Sequence, residues 1–211
     1  MKLSHLLTLS SGLLALANPL AFKYTDGYAE IGDNIYHYLK TEPEAEYKGT
    51  LFLVHGFPDM PHGWHNQIPL LASLGYRVFA PAMLGYPRTS SPDGLEPFYK
   101  SAMASDLAEL IRQVTPEGEQ IILAGHDWGC SLVWTTVVLY PELVKGVIGM
   151  AVPHGPPADE YVDLADQIEN GQSLNFEYQL QLRNPVMEDL IKGRHTIRQF
   201  LRAVRRLIRS F

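Results

Sequence analysis

Four short apolar runs constrain this chain more than anything else in it: GTLFLVHG (49–56), YRVFAPAM (76–83), QIILAG (120–125) and VKGVIGMAVP (144–153). GTLFLVHG is a continuous apolar run ending in glycine, the pattern of a strand buried on both faces in a parallel sheet. All four read as strands. Segments of helical periodicity lie between them. Residues 62–74 end at Leu74-Gly75, residues 99–115 stop at Pro116, and residues 127–140 are closed by Pro141. A β-branched and aromatic stretch, NIYHYLKTE (34–42), precedes the series as a further strand. Strands alternating with helices leave few topologies: an α/β fold with a mostly parallel sheet and helices on both faces. Such sheets place ligands beyond the carboxyl ends of their strands. His55-Gly56 and Asp127 are both predicted at such ends.

After Pro156-Pro157 the pattern turns to helices without strands. Residues 157–211 therefore read as a partial helical cap on a core formed by residues 18–156. A chain of 211 residues can bury a sizeable core. A net charge of −6 argues against nucleic acid as a general partner. Cys130 is the only cysteine, so no internal disulfide is available, and a buried, inert thiol is expected. The N-terminus, MKLSHLLTLSSGLLALANPLAF, has Lys2, a short apolar run and a small-x-small Ala15-Leu16-Ala17. Residues 1–17 read as a signal peptide and the protein as secreted; an N-terminal helix packed on a cytoplasmic domain is the alternative.

The third apolar run leads into LAGHDWGC (123–130). A sharp strand-to-helix turn with small flanking residues exposes its central residue, as in the G-x-S-x-G nucleophile elbow. Gly125 and Gly129 occupy the small positions, and Asp127 stands where serine would. Aspartate is also a favoured helix N-cap, and this motif alone leaves that reading open. A second strand end carries HGFPD (55–59). An oxyanion hole in such folds takes one N–H from the residue after the nucleophile and one from an earlier strand-end loop. Trp128 and Phe57 are placed to supply them, with His55, Gly56 and Pro58 shaping the loop. For His55 a hydrogen-bonded buried role is expected, not proton transfer.

Together HGFPDMPHGW and GHDWG resemble the α/β-hydrolase superfamily, in its epoxide hydrolase branch, from about residue 24 to about residue 204. Haloalkane dehalogenases share the aspartate elbow. FEYQLQLRNPVME (176–188) resembles the epoxide hydrolase cap segment in which a tyrosine precedes Gln-Leu. The resemblance implies an α/β-hydrolase fold and makes Tyr178 a hydrogen-bond donor to the epoxide oxygen; by itself Tyr178 reads equally well as a core tyrosine. Ala82 stands where the family usually has an aspartate, Leu84 where it has a basic residue, and Cys130 where it has a second glycine.

The resemblance also explains the aspartate. A carboxylate is ionised at neutral pH and attacks a strained ring carbon without a base. It implies ring opening to an alkyl-enzyme ester at Asp127, then attack of water on that ester. The Phe57 and Trp128 amides would hold the oxyanion, an effect of about 3 kcal/mol per donor. The implied partner is a small-molecule epoxide or related alkyl electrophile, with no metal and no organic cofactor. The family's base histidine and its carboxylate partner would follow the cap, so the chain is expected to be incomplete: a fragment of a larger hydrolase, or a truncated product that binds without turnover. Neither His154 nor His195 matches that base. Finally, Ile197, Leu201, Val204, Ile208 and Phe211 lie near helical spacing, with Arg194, Arg198, Arg202, Arg205 and Arg209 on another face. A cap helix with a solvated face is expected there, and an anionic membrane surface is the second reading.

Overall fold

The computed structural model describes residues 24–155 and 160–208. The signal-peptide reading of residues 1–17 lies outside them. The chain divides between His154 and Gly155 into two compact units.

The first unit is built on a six-stranded sheet. In chain order its elements are β1 (Thr25–Ile31), β2 (Asn34–Thr41), β3 (Gly49–Val54), α1 (Gln67–Ser73), β4 (Tyr76–Pro81), α2 (Lys100–Val114), β5 (Ile121–His126), α3 (Trp128–Leu139) and β6 (Val144–Met150). The strand order is β1-β2-β4-β3-β5-β6. The last four run parallel, and β2 is antiparallel to both of its neighbours. β1 was not foreseen. It forms a hairpin with β2 across Gly32-Asp33, where Gly32 takes φ 56°.

Alternation along the strands sorts the core into two layers. Phe52 and Val54 of β3 pack with Leu107, Leu110 and Ile111 of α2 and with Leu132 and Val133 of α3. Leu51 and Leu53 of the same strand pack with Trp64 and with Ile68 of α1. Successive side chains of a strand point to opposite faces, so α2 and α3 cover one side of the sheet and α1 the other. All six residues of β3 are buried, as its continuous apolar run requires.

The helix expected over 62–74 is divided. Pro61–Trp64 forms a 3₁₀ turn, and α1 begins at Gln67. Pro69 explains the break. It has no N–H, and its ring would strike the carbonyl of His65 in a continuous helix, so it is accommodated only in the first turn of a new one.

The second unit holds α4 (Leu164–Glu169), α5 (Glu177–Leu182), α6 (Pro185–Leu190) and α7 (Arg194–Ile208). The Asp163 carboxylate caps α4 by accepting from the Ala165 N–H at 2.9 Å, and the Asn184 side chain caps α6 from the Val186 N–H at 3.0 Å. In α7, Arg194, Arg198 and Arg202 are exposed while Phe200, Leu201 and Val204 are half-buried. Ile197, in line with Leu201 and Val204, is itself 45% exposed. No helix among the described residues is long and apolar enough to cross a membrane.

Candidate active site

Parallel pairing of β3 with β5 sets Val54 beside Gly125. The chain therefore leaves the sheet at His55-Gly56 and at Asp127 side by side, on the carboxyl edge. The contact is too close for side chains. A Cβ on Gly56 would lie 2.5 Å from Asp127 Oδ1, and one on Gly125 would lie 2.6 Å from the Gly129 carbonyl oxygen. A Cβ on Gly129 would be driven into the carbonyl oxygens of Val54 and His55. Three glycines thus let one strand end, the turn and the start of α3 pass through the same space.

Asp127 occupies the turn with φ 54° and ψ −125°. That backbone is strained for any residue with a Cβ, by about 1–3 kcal/mol. Its N–H donates to the Met150 carbonyl at the end of β6, 3.1 Å, and its carbonyl accepts from Cys130 N–H at 2.9 Å to start α3. Its side chain makes no cap hydrogen bond to α3. The carboxylate turns the other way, where Oδ1 accepts from the Phe57 backbone N–H at 2.9 Å. The indole of Trp128, the next residue, is 43% exposed.

His55 is 3% exposed and bonded at both ring nitrogens. Nδ1 lies 3.0 Å from the Gly56 carbonyl, and Nε2 lies 3.2 Å from the Met83 N–H. A carbonyl only accepts and an amide only donates, so the ring is neutral with its proton on Nδ1. Burial lowers its pKa, opposed by the Gly56 carbonyl and the charge of Asp59. His55 ties the HGFPD loop to the loop after β4.

Tyr86 was missed by the sequence reading. Its ring meets His55 edge-on at 4.3 Å, and its hydroxyl donates to the Gly56 carbonyl at 3.4 Å. Burial, then the negative charges of Asp127 and Asp59, push its pKa up to about 12, so it stays a neutral donor. The only signal for it was its place in PAMLGY, between a strand end and a glycine-proline-rich loop.

Ala82 and Leu84, the two departures in that loop, are 1% and 3% exposed. Both charged residues are replaced together, which leaves no unpaired charge in a buried place. The loop is held by other groups. The Thr89 hydroxyl donates to the Ala82 carbonyl at 2.8 Å and accepts the His37 N–H at 3.1 Å, and Ala82 N–H donates to the His37 carbonyl at 2.8 Å.

Cys130 is buried, as expected, and its thiol donates to the Val152 carbonyl at 2.9 Å. The Trp134 indole N–H reaches the same oxygen at 3.0 Å, and its ring meets His154 edge-on. Tyr178 and His195 belong to the second unit, on α5 and α7, and Tyr178 is half-buried. Beside the elbow, Gly56, Trp128 and Gly129 form one side of a cavity of about 120 Å³ whose other walls are mainly apolar. Among the described residues no cluster of three or more His, Cys, Asp or Glu side chains could hold a metal ion.

Residues 49–191 match the family described as alpha/beta hydrolase fold. A Neurospora crassa protein named epoxide hydrolase srdG is 38% identical over 162 residues, which are 75% of this chain and 47% of that relative. Epoxide hydrolase A of Mycobacterium tuberculosis is 34% identical over 140 residues, 66% of this chain and 42% of the relative. Among solved structures, epoxide hydrolase VrEH1 from Vigna radiata superposes with a TM-score of 0.70 at 25% identity, over 82% of this chain and 51% of that one. Epoxide hydrolase A from Mycobacterium thermoresistibile gives 0.62 at 29% identity, over 71% and 46%. The chain spans about half the length of the curated relatives it matches.

Proposed function

Because the chain belongs to the α/β hydrolase fold family, we propose that its elbow opens epoxides by covalent catalysis, with Asp127 as the nucleophile. The observation that carries this reading is the Phe57 N–H on Asp127 Oδ1, 2.9 Å away, with the carboxylate turned from α3. Oδ2 then attacks a ring carbon. The carbon–oxygen bond breaks, its electron pair goes to the epoxide oxygen, and Tyr178 hydrogen-bonds to the alkoxide and supplies its proton. Oδ1 becomes the carbonyl oxygen of the resulting ester. It already faces a donor that strengthens as that oxygen turns anionic, and Trp128 N–H serves as the second. Attack of water on the ester releases a diol.

The names of the relatives support the epoxide branch over the haloalkane dehalogenase reading. The first step needs no base, whereas the second does. No described histidine hydrogen-bonds to Asp127: His55 is committed to Gly56 and Met83. The ester is therefore expected to outlast its formation in this 211-residue chain. Intact mass spectrometry after incubation with an aryl epoxide should show one adduct, mapped to Asp127. A chloroalkane that modifies Asp127 while epoxides do not would support the dehalogenase instead. Steady diol release by this chain would show that the ester is hydrolysed without the expected base.

Tyr178→Phe removes the donor to the opening oxygen. Ester formation is expected to slow by about 10²-fold, the low end for a positioned acid. Equal single-turnover rates in the two proteins would remove Tyr178 from the mechanism.

A further inference from the structure

The cavity beside the elbow has a chemical character that the reaction alone does not explain. Its walls include Met83, Leu84, Tyr86, Phe98, Met103 and Leu132. Its volume of about 120 Å³ is of the order at which an apolar cavity takes a benzene ring, roughly 150 Å³. No acidic side chain lines it: Asp127 stands outside the lining, next to its members Gly56 and Trp128. His55 is neutral, so Lys100 is the one cation in the lining. Lys100 is an exposed residue and, among the described residues, belongs to none of the ion pairs. It is the first residue of α2, whose first turn holds no acidic residue. A cation there opposes the helix dipole.

We infer that this cavity selects epoxides with a compact aryl body and a carboxylate, the ring lying among the apolar walls and the carboxylate meeting Lys100. The inference rests on the epoxide-opening reading of Asp127 and adds the substrate class. Lys100 is also what makes an anionic substrate acceptable next to Asp127, because two carboxylates at one site repel each other. Without the lysine the sign of the selection reverses.

The test uses the 211-residue chain and two matched probes, phenyl glycidyl ether and its para-carboxylate. The rate of ester formation at Asp127 is followed by intact mass. In the parent chain the carboxylate probe should react about fivefold faster than the neutral one, the size of a solvent-exposed ion pair. The ratio should fall towards one in 1 M salt. In Lys100→Met it should drop below one, and in Lys100→Glu further still. A parent ratio of one, or a preference that survives in Lys100→Met, overturns the inference while leaving Asp127 as nucleophile. If neither probe forms an ester, the reading of Asp127 fails, and the cavity is judged on the unreactive probe phenoxyacetate by ligand-observed NMR. Binding about fivefold weaker in Lys100→Met sustains the anion site. Equal binding, or none, ends it.

Discussion

Asp127→Gly is expected to abolish covalent capture of an epoxide completely while leaving the fold about as stable as the parent. The loss follows from removing the only carboxylate at the turn that meets the Phe57 N–H. The stability follows from the backbone. At φ 54° and ψ −125° a Cβ costs about 1–3 kcal/mol that glycine does not incur. Glycine's greater freedom in the unfolded chain takes back about 0.5–1 kcal/mol. Loss of the Phe57 N–H bond takes back about 1 kcal/mol more in either variant. The balance for glycine is therefore near zero, whereas Asp127→Ala keeps the strain and should lose the adduct together with about 1 kcal/mol, roughly 3 °C in Tm for a chain of this size. Thermal melts of the two variants beside adduct assays check both expectations. A glycine variant that melts well below the alanine variant would mean that the turn is not strained by the Asp127 side chain.

Gly129→Ala should have the largest effect on folding. The added methyl would collide with the carbonyl oxygens of Val54 and His55. Those atoms are backbone at the end of the fully buried β3 and in the residue just after it, and cannot move aside as a flexible side chain can. Relief requires α3 to slide away from the sheet, which also withdraws Trp128 and disturbs Asp127. A loss of about 3 kcal/mol is expected, roughly 10 °C in Tm, with adduct formation falling in parallel. A calorimetric melt within 2–3 °C of the parent (on a scale of about 2–4 °C per kcal/mol) would mean that the turn tolerates what its geometry forbids.

The central strands were legible because burial on both faces makes them apolar throughout. β3, β4 and β5 could be read as blocks, and the helices between them by their period and by Gly75, Pro116 and Pro141. β1 was not, because TDGYAEI offers only Ala29 and Ile31 as buried side chains. Its signal lay in Gly32-Asp33, a two-residue hairpin turn. The glycines of the elbow were read for the right physical reason, close approach. What sequence left open was the direction of the Asp127 side chain. A cap and an exposed elbow residue share their place in the chain, and only the unusual φ and ψ separate them. Tyr86 escaped notice because its role depends on two loops from different strands meeting, which spacing does not encode. The same holds for Thr89, which fixes the loop once the charges at positions 82 and 84 are gone.

Cys130 and Gly149 face each other across the seam between α3 and β6, and a Cβ on Gly149 would lie 3.0 Å from the sulfur and 2.6 Å from Cζ2 of Trp134. The indole is the nearer obstacle, so a side chain at 149 is barred first by Trp134 and only then by the thiol. Both of those groups also hold the Val152 carbonyl. Bareness at one strand position is thus what lets a single carbonyl oxygen serve two donors, and alanine at 149 would unsettle the end of β6 by displacing both at once.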